Sequence, residues 1–211
     1  MTAAMATPPA RVATAVDVAF DVAGTSVPAD HAWPLMKAVD ALLPWLADEP
    51  TAGIHPLRMS PTTYGVALLA RRAKLVLRVP ERRLSATLAL AGTVLDVGGS
   101  RLAVGAGQAR PLRPSATLAA QRVASAVVDA GAFEAEVGQW LATLGVGGRY
   151  IAGRARYGRV GGVDVAGFAL ALHGLAAADS LRLQAAGMGA HRRAGWGMFV
   201  PAKAITAAAD E

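Results

Sequence analysis

A glycine-rich run near the C-terminus places two arginines and a histidine where a polyanion could bind. The run extends from Gly187 to Pro201. Glycine lets the backbone approach a ligand closely, and arginine presents a planar fork of donors that matches phosphate oxygens. No Gly-Lys-Ser/Thr follows, and the run leads into a strand rather than a helix, so it is not a P-loop. We therefore predict contact with a polynucleotide backbone; the alternative is a glycine turn with solvated arginines. The residues predicted to contact RNA in this run are Gly187, Gly189, His191, Arg192, Arg193, Gly195 and Gly197.

The charge of the chain also favours an anionic partner. The chain has 21 Lys and Arg against 15 Asp and Glu, a formal charge of +6. Between residues 149 and 203 there are eight basic residues and two acidic ones. Arg154, Arg156 and Arg159 follow one another at near-alternate spacing on a predicted strand, so two or three could project to one side and hold an RNA stem. The alternative is a solvated face of an edge strand.

Composition predicts neither a metal site nor a cofactor. The chain has no cysteine, and its four histidines lack partners at ligand spacing. We therefore expect metal-independent chemistry. No apolar run approaches the roughly 20 residues that span a bilayer, and no basic-then-apolar signal opens the chain. A cytoplasmic protein without a membrane partner is expected.

The hydrophobic periodicity predicts an α+β fold of two tandem ferredoxin-like units, each in the order β-α-β-β-α-β. The units are expected at residues 11–108 and 115–204, with a proline-stiffened linker at 105–114, a disordered segment at 1–10 and a tail at 205–211. The predicted strands are 12–22, 54–58, 64–70, 74–79, 94–97, 101–104, 117–128, 149–157, 163–172 and 196–200. The predicted helices are 30–45, 80–91, 133–144 and 178–186.

Several segments together resemble the RAMP superfamily, specifically the CRISPR-repeat-processing endoribonucleases of the subgroup first named from myxobacterial type I systems. The resemblance covers about Val16 to Pro201. The glycine-rich run alone is shared with noncatalytic members of the superfamily, and the combination is more specific. The segments that carry it, besides that run, are Val27-Pro28-Ala29-Asp30-His31, Ile54-His55-Pro56-Leu57-Arg58, Leu95-Asp96-Val97-Gly98-Gly99 and Ser180-Leu181-Arg182-Leu183-Gln184.

The resemblance implies a metal-independent ribonuclease that cuts a precursor transcript within each CRISPR repeat. The ribose 2′-hydroxyl would attack the adjacent phosphate while one group removes its proton and another protonates the departing 5′-oxygen. The products would be a 2′,3′-cyclic phosphate and a 5′-hydroxyl. The expected partner is CRISPR repeat RNA, with other subunits of a CRISPR effector complex as candidates and no small-molecule cofactor.

Histidine suits both proton transfers because its unperturbed pKa is near 6.5. The resemblance implies a catalytic histidine on or just after the first helix, where His31 and His55 are both found. We favour His55, since Pro56 holds it extended, with Tyr64 as a second participant. His31 has the alternative of a partly exposed helix-start residue, and His173 is expected to be structural.

Two other classes of function stay open. A noncatalytic RAMP subunit of a ribonucleoprotein complex would have the same fold and tolerate the loss of every histidine. A small-molecule-binding pair of ferredoxin-like units would lack salt-sensitive RNA affinity. The four tryptophans are expected in the core, with Trp196 the one candidate for stacking on a base.

Overall fold

Two antiparallel sheets with helices packed on them form most of the chain. The computed structural model describes residues 14–60 and 65–203, so Tyr64 and the predicted terminal segments lie outside the described residues. The strands are β1 Ala15–Ala23, β2 Ser26–Pro28, β3 Gly53–Ile54, β4 Val66–Leu68, β5 Lys74–Pro80, β6 Val94–Val97, β7 Ser100–Pro111, β8 Thr117–Ala124, β9 Arg149–Val160, β10 Val163–His173 and β11 Val200–Pro201. The helices are α1 Ala32–Leu42, α2 Leu84–Leu88, α3 Ala130–Thr143 and α4 Ala177–Ala186, with 3₁₀ turns at Pro44–Asp48, Glu81–Arg83 and Arg192–Ala194.

The first sheet has the strand order β3-β5-β1-β7-β6. Alternation along β1 directs Val18 and Phe20 to the core, where they join Leu75 and Leu77 of β5 and the apolar side of α1. A separate two-stranded sheet pairs β2 with β4. The polar residues of β1 and β5 therefore lie on the opposite face of the first sheet.

The second sheet has the strand order β11-β8-β10-β9. Helix α3 packs on it through Phe133, whose ring stacks on Phe168 of β10 with centroids 4.8 Å apart. The Asp129 side chain caps α3 by accepting a hydrogen bond of 2.8 Å from the Ala132 amide. His173 ends β10, with Nδ1 3.4 Å from the Thr117 hydroxyl, in keeping with a structural role.

The two halves share a core, and part of the glycine-rich run lies within it. Trp196 has no exposed surface and belongs to the same apolar cluster as Val18 and Leu77 of the first sheet, together with Val160 and Val165 of the second. Trp196 is therefore a core residue, as expected, and its burial is inconsistent with the alternative that it stacks on a base. No helix among residues 14–60 and 65–203 is long and apolar enough to cross a bilayer.

Several predicted element boundaries are wrong, each for a local reason. The predicted linker at 105–114 is largely strand, because β7 continues along β1 as far as the pair Val16 and Pro111. Helix α1 ends at Leu42 rather than near residue 45, since Pro44 disfavours a helical conformation of Leu43, which has φ −126° and ψ 68°. The strand at 54–58 ends at Ile54, two residues before Pro56, which has no amide hydrogen to donate. The second helix is short, and the last strand is only Val200–Pro201.

Candidate functional site

His55 follows strand β3 directly and is fixed in direction by its neighbours. Its backbone amide donates a hydrogen bond of 2.9 Å to the carbonyl of Val76 on β5, and Pro56 restricts the chain after it. The His55 Nε2 atom lies 3.4 Å from Oδ1 of Asp17 on β1. That distance is long for a hydrogen bond and typical of a looser polar contact.

Asp17 is itself held by a buried arginine. Arg78 of β5, directly opposite Asp17 in the sheet, donates from Nε to Oδ1 at 2.8 Å and from Nη2 to Oδ2 at 3.0 Å. The remaining nitrogen of Arg78, Nη1, donates to the carbonyls of Gln184 and Phe199 in the second half of the chain. His55 thus contacts Asp17, Asp17 is bound by Arg78, and Arg78 contacts the second half of the chain.

The surroundings set the charge of these groups. Burial raises the pKa of Asp17, but its contacts with His55 and Arg78 outweigh burial and hold that pKa well below its usual range. Burial lowers the pKa of His55; Asp17 opposes this and the charge of Arg78 adds to it, so the pKa ends below its ordinary value. His55 is therefore neutral at pH 7, as a proton acceptor must be.

His55 and Asp17 line a cavity of about 410 Å³ between the first sheet and the second half of the chain. Its wall also includes Gln121 of β8 and Gly195 of the glycine-rich run. Four basic side chains line the same cavity and give it an excess of positive charge, although Lys74 also pairs with Asp21: Arg58, Arg72, Lys74 and Arg110. We call this the basic cleft.

The structure brings His31 close to His55. His31 is the residue that immediately precedes α1, and it is 6% exposed rather than partly exposed as its alternative reading required. Its Nδ1 lies 3.3 Å from the Ala29 carbonyl, and its pKa is lowered, chiefly by burial. Both histidines line one very small cavity, which Arg122 and Arg193 also border.

The glycines of the C-terminal run serve close packing at most positions. Gly197 has a φ of +64°, and a Cβ there would lie 1.8 Å from the Met188 carbonyl oxygen. The amide of Gly197 donates to the Arg122 carbonyl of β8 at 2.7 Å. Gly187 and Gly195 are buried as well, so of the four predicted glycines only Gly189 is exposed. Gly195 still lines the basic cleft.

The adjacent arginines of the run have different environments. Arg192 is 7% exposed and donates to the carbonyls of Ala185 and Ala186, at the end of α4, and to Thr51 at 2.8 Å. Burial and then the charge of Arg78 lower the pKa of Arg192 to about 10. This placement favours a structural role for Arg192 over the expected contact with phosphate.

Arg193 and His191 remain accessible. Arg193 forms an ion pair with Asp40 of α1 at 2.5 Å, and its side chain is 30% exposed. His191 is exposed and has a φ of +64°, a left-handed conformation that is uncommon outside glycine. Both residues line a second cavity of about 300 Å³, together with Gly189.

The three arginines of β9 are exposed but do not share one face. Arg156 donates from Nε to the Gln121 carbonyl at 3.1 Å, which places it beside the basic cleft. Arg159, three residues on, points to the other face and pairs with Asp164 at 3.2 Å. Arg154 lies where the β9–β10 register shifts, so simple alternation does not apply to it.

Sequence reasoning missed Asp17, Arg78 and the four cations of the basic cleft. A signal was present, because Asp17 and Arg78 are charged residues inside otherwise apolar strands, Val-Asp-Val and Leu-Arg-Val. Such a residue needs a partner when the strand is buried. Among the described residues, no three His, Asp or Glu side chains cluster as metal ligands would.

The chain is similar in sequence to proteins of one known family. The family model described as Cas6 Crispr matches residues 16–204. The CRISPR-associated endonuclease Cas6 of Myxococcus xanthus is 38% identical over 187 residues, covering 88% of this chain and 81% of that protein.

Solved structures share the fold at low identity. A CRISPR associated protein Cas6 superposes with a TM-score of 0.63 at 12% identity, covering 90% of this chain and 100% of the other. A Cas6-related protein from Pyrococcus furiosus gives 0.57 at 9% identity, covering 88% and 98%. A RAMP protein described as binding different RNA substrates gives 0.56 at 11% identity, covering 87% and 98%. These likenesses concern the fold.

Proposed function

The chain belongs to the Cas6 family, and from that membership we propose that it is an endoribonuclease that cleaves CRISPR precursor RNA within its repeats to release guide RNAs. The Myxococcus relative is named a CRISPR-associated endonuclease. One observation about this chain carries the proposal further: a partly buried, neutral histidine beside a carboxylate opens onto a cleft lined by four basic side chains. That arrangement combines a proton acceptor with a phosphate-binding surface.

The proposed reaction is attack of a ribose 2′-hydroxyl on the adjacent phosphorus without a metal ion. A neutral imidazole that carries its hydrogen on Nε2, next to Asp17, keeps the Nδ1 lone pair free to accept a proton. His55 would therefore remove the 2′-hydroxyl proton. The P–O5′ bond breaks as the new P–O2′ bond forms, which leaves a 2′,3′-cyclic phosphate and a 5′-hydroxyl.

A second group must protonate the departing 5′-oxygen. His31 is a candidate, since it borders the same small cavity as His55. Its lowered pKa makes the neutral form dominant at pH 7, so it would have to acquire a proton once RNA brings negative charge into the site. Tyr64 is a further candidate for this role.

Cations stabilise the extra negative charge that forms on the phosphorane. Arg58 and Arg110, with Lys74 and Arg72, are proposed to contact the phosphates around the cut site. The repeat stem would extend over Arg156 and Arg154 of β9, beside the basic cleft. Arg159, on the other face of β9, and Gly189, His191 and Arg193 of the glycine-rich run are proposed as further RNA contacts.

We also infer that the two halves are tandem ferredoxin-like units, as predicted for residues 11–108 and 115–204, with the first unit extended to Pro111 because β7 ends there. The second sheet supports this, because its order β11-β8-β10-β9 with α3 and α4 as crossovers is the order of that fold. The first sheet supports it through β3-β5-β1-β7, to which β6 adds an extra edge strand. A cytoplasmic location and association with other CRISPR effector subunits are part of the same proposal.

The test uses labelled cognate repeat RNA in EDTA. Cleavage at a single position is expected, because the proposed chemistry needs no metal. RNA with deoxyribose at the nucleotide 5′ to the cut should bind nearly as well but stay intact, since it lacks the nucleophile. A strict magnesium requirement, or cutting of the deoxyribose substrate, would contradict the mechanism.

Alanine variants of the histidines test which of them transfers a proton. His55→Ala should slow single-turnover cleavage by on the order of 100-fold or more without a comparable loss of affinity. His173→Ala is the matched control, since that histidine lies at the end of β10 outside the basic cleft. Wild-type rates in His55→Ala, His31→Ala and the double variant would exclude histidine catalysis at these positions. A wild-type protein that binds its repeat and never cuts would instead be a noncatalytic RNA-binding subunit.

A further inference from the structure

Asp17 lies between His55 of the basic cleft and the buried Arg78. Binding of RNA alone does not require this arrangement. The Asp17 carboxylate lies on the face of the first sheet opposite α1, with Arg78 opposite it on β5 and Arg110 opposite it on β7. Both carboxylate oxygens accept hydrogen bonds from Arg78, and Oδ1 also faces Nε2 of His55. The carboxylate is therefore fixed before any RNA arrives.

Arg78 can fix the carboxylate because it is itself immobile. It is 1% exposed, and its third nitrogen donates to the carbonyl of Phe199 at 2.7 Å and of Gln184 at 3.0 Å. A planar guanidinium with all three nitrogens engaged has one orientation available. A surface ion pair would not hold a partner in this way, because two exposed side chains retain their rotamer freedom.

We propose that Asp17, held by Arg78, is a positioning residue for His55: it sets the direction of the imidazole ring and keeps its hydrogen on Nε2, so that Nδ1 accepts the proton of the 2′-hydroxyl. This inference rests on the proposed function. A carboxylate beside one ring nitrogen of a histidine selects the tautomer and stabilises the imidazolium that forms during proton transfer. Asp17 touches no reacting atom and acts through His55.

The position of His55 consequently depends on contact between the two halves of the chain. Arg78 reaches Asp17 on one side and the carbonyls of α4 and the segment before β11 on the other. The distance from Gln184 to Arg78 along the chain is 106 residues. Proper docking of the second half therefore orients a histidine that belongs to the first.

Other charged groups face His55 and bear on any measurement of its titration. Arg192 from the glycine-rich run lies near enough to lower its pKa further. The remaining groups that share a cavity with His55 come from several elements: His31, Arg58, Arg72, Lys74, Arg110, Arg122 and Arg193. All of them are basic, so Asp17 is the one acidic group facing His55 in the described part of the chain.

The main test is Asp17→Asn, which keeps the shape of the side chain and removes its charge. Single-turnover cleavage of repeat RNA by this variant should be about 10- to 100-fold slower at pH 7. This loss is smaller than the roughly 10⁴-fold loss of rate when the aspartate of a serine-protease triad is replaced by asparagine, because Asp17 Oδ1 lies 3.4 Å from His55 Nε2 and the contact is looser. The rise in rate with pH should begin at lower pH, since loss of the carboxylate lowers the pKa of His55. Asp17→Glu should recover part of both effects.

Asp179→Asn is the matched control. Asp179 is also an aspartate paired with arginine, its side chain is 21% exposed against 20% for Asp17, and it lies on α4 outside the basic cleft. Its rate and pH profile should equal those of the wild type. An Asp17→Asn variant that is folded and has the wild-type pH profile and rate would overturn the positioning role, whether or not His55 is needed for cleavage.

A measurement on the wild type avoids dependence on how well the variant folds. Nitrogen NMR of the four histidine rings, with the His55 signal assigned by its loss in His55→Gln, reports the tautomer directly. The Nε2–H tautomer is expected for His55, and the Nδ1–H tautomer would overturn the proposal. This readout needs no cleavage, so it can fail or succeed independently of the proposed ribonuclease activity.

Discussion

Arg192 provides the sharpest test of whether the glycine-rich run binds RNA through both of its arginines. The Arg192→Ala variant removes a guanidinium that donates to three backbone carbonyls, two of them at the end of α4. A hydrogen bond from a charged donor contributes about 1.5–3 kcal/mol. Part of that gain is offset by the cost of burying the cation, so we expect the free energy of unfolding to fall by about 3 kcal/mol.

The loss in the free energy of unfolding also determines how far the Tm of Arg192→Ala should fall. For a domain of this size, 1 kcal/mol changes Tm by about 2–4 °C, so Arg192→Ala should melt about 6–12 °C below the wild type. Arg193→Ala is the control in the adjacent position. Because its pair with Asp40 is partly exposed, it should cost less than about 1 kcal/mol.

The two variants should separate in RNA binding as well. Measured below its melting transition, Arg192→Ala should keep wild-type affinity and salt dependence. Arg193→Ala should bind more weakly, with a salt slope reduced by about one phosphate contact. An Arg192→Ala protein that melts with the wild type and loses RNA affinity would refute the structural assignment and restore the interpretation from sequence.

Three further outcomes are expected. Gly197→Ala should lower the free energy of unfolding by about 2–5 kcal/mol, because the added Cβ clashes with the Met188 carbonyl at a position with left-handed backbone. Gly162 is also left-handed but has open space around it, so Gly162→Ala should lower the free energy of unfolding by about 1–2 kcal/mol. Urea denaturation measures both values. The lowered pKa of buried His31 means that the unfolded chain binds more protons below pH 6.5, so stability should fall from pH 7 to pH 5, with a shallower slope in His31→Gln. Arg72→Ala should reduce the salt slope of RNA binding by about one contact, and Arg101→Ala, outside the basic cleft, should leave it unchanged.

Much of the element order could be predicted from the sequence because it depends on local periodicity. Alternating apolar residues in 12–22 and helical spacing in 133–144 correspond to β1 and α3. The resemblance to a family also rested on contiguous segments, and the Cas6 match over residues 16–204 confirms it. Where prediction failed, as in the linker at 105–114, a long-range partner decided: strand β7 continues because β1 lies beside it.

The candidate site could not be derived in the same way. The sequence indicated His31 and His55 as candidates for proton transfer, and their roles stay predictions. Asp17 and Arg78 are 61 residues apart, and only the register of β1 against β5 places them together beside His55.

Arg192 and Arg193 are neighbours in the sequence, yet their environments in the structure differ. The sequence by itself determined that Arg192 and Arg193 lie in a glycine-rich turn after a helix. Only the tertiary structure decided that Arg192 faces inward to the free carbonyls of α4 while its neighbour stays accessible. The physical reason is that composition specifies which groups can bind phosphate, whereas burial and the supply of unpaired backbone acceptors determine which of them are already engaged.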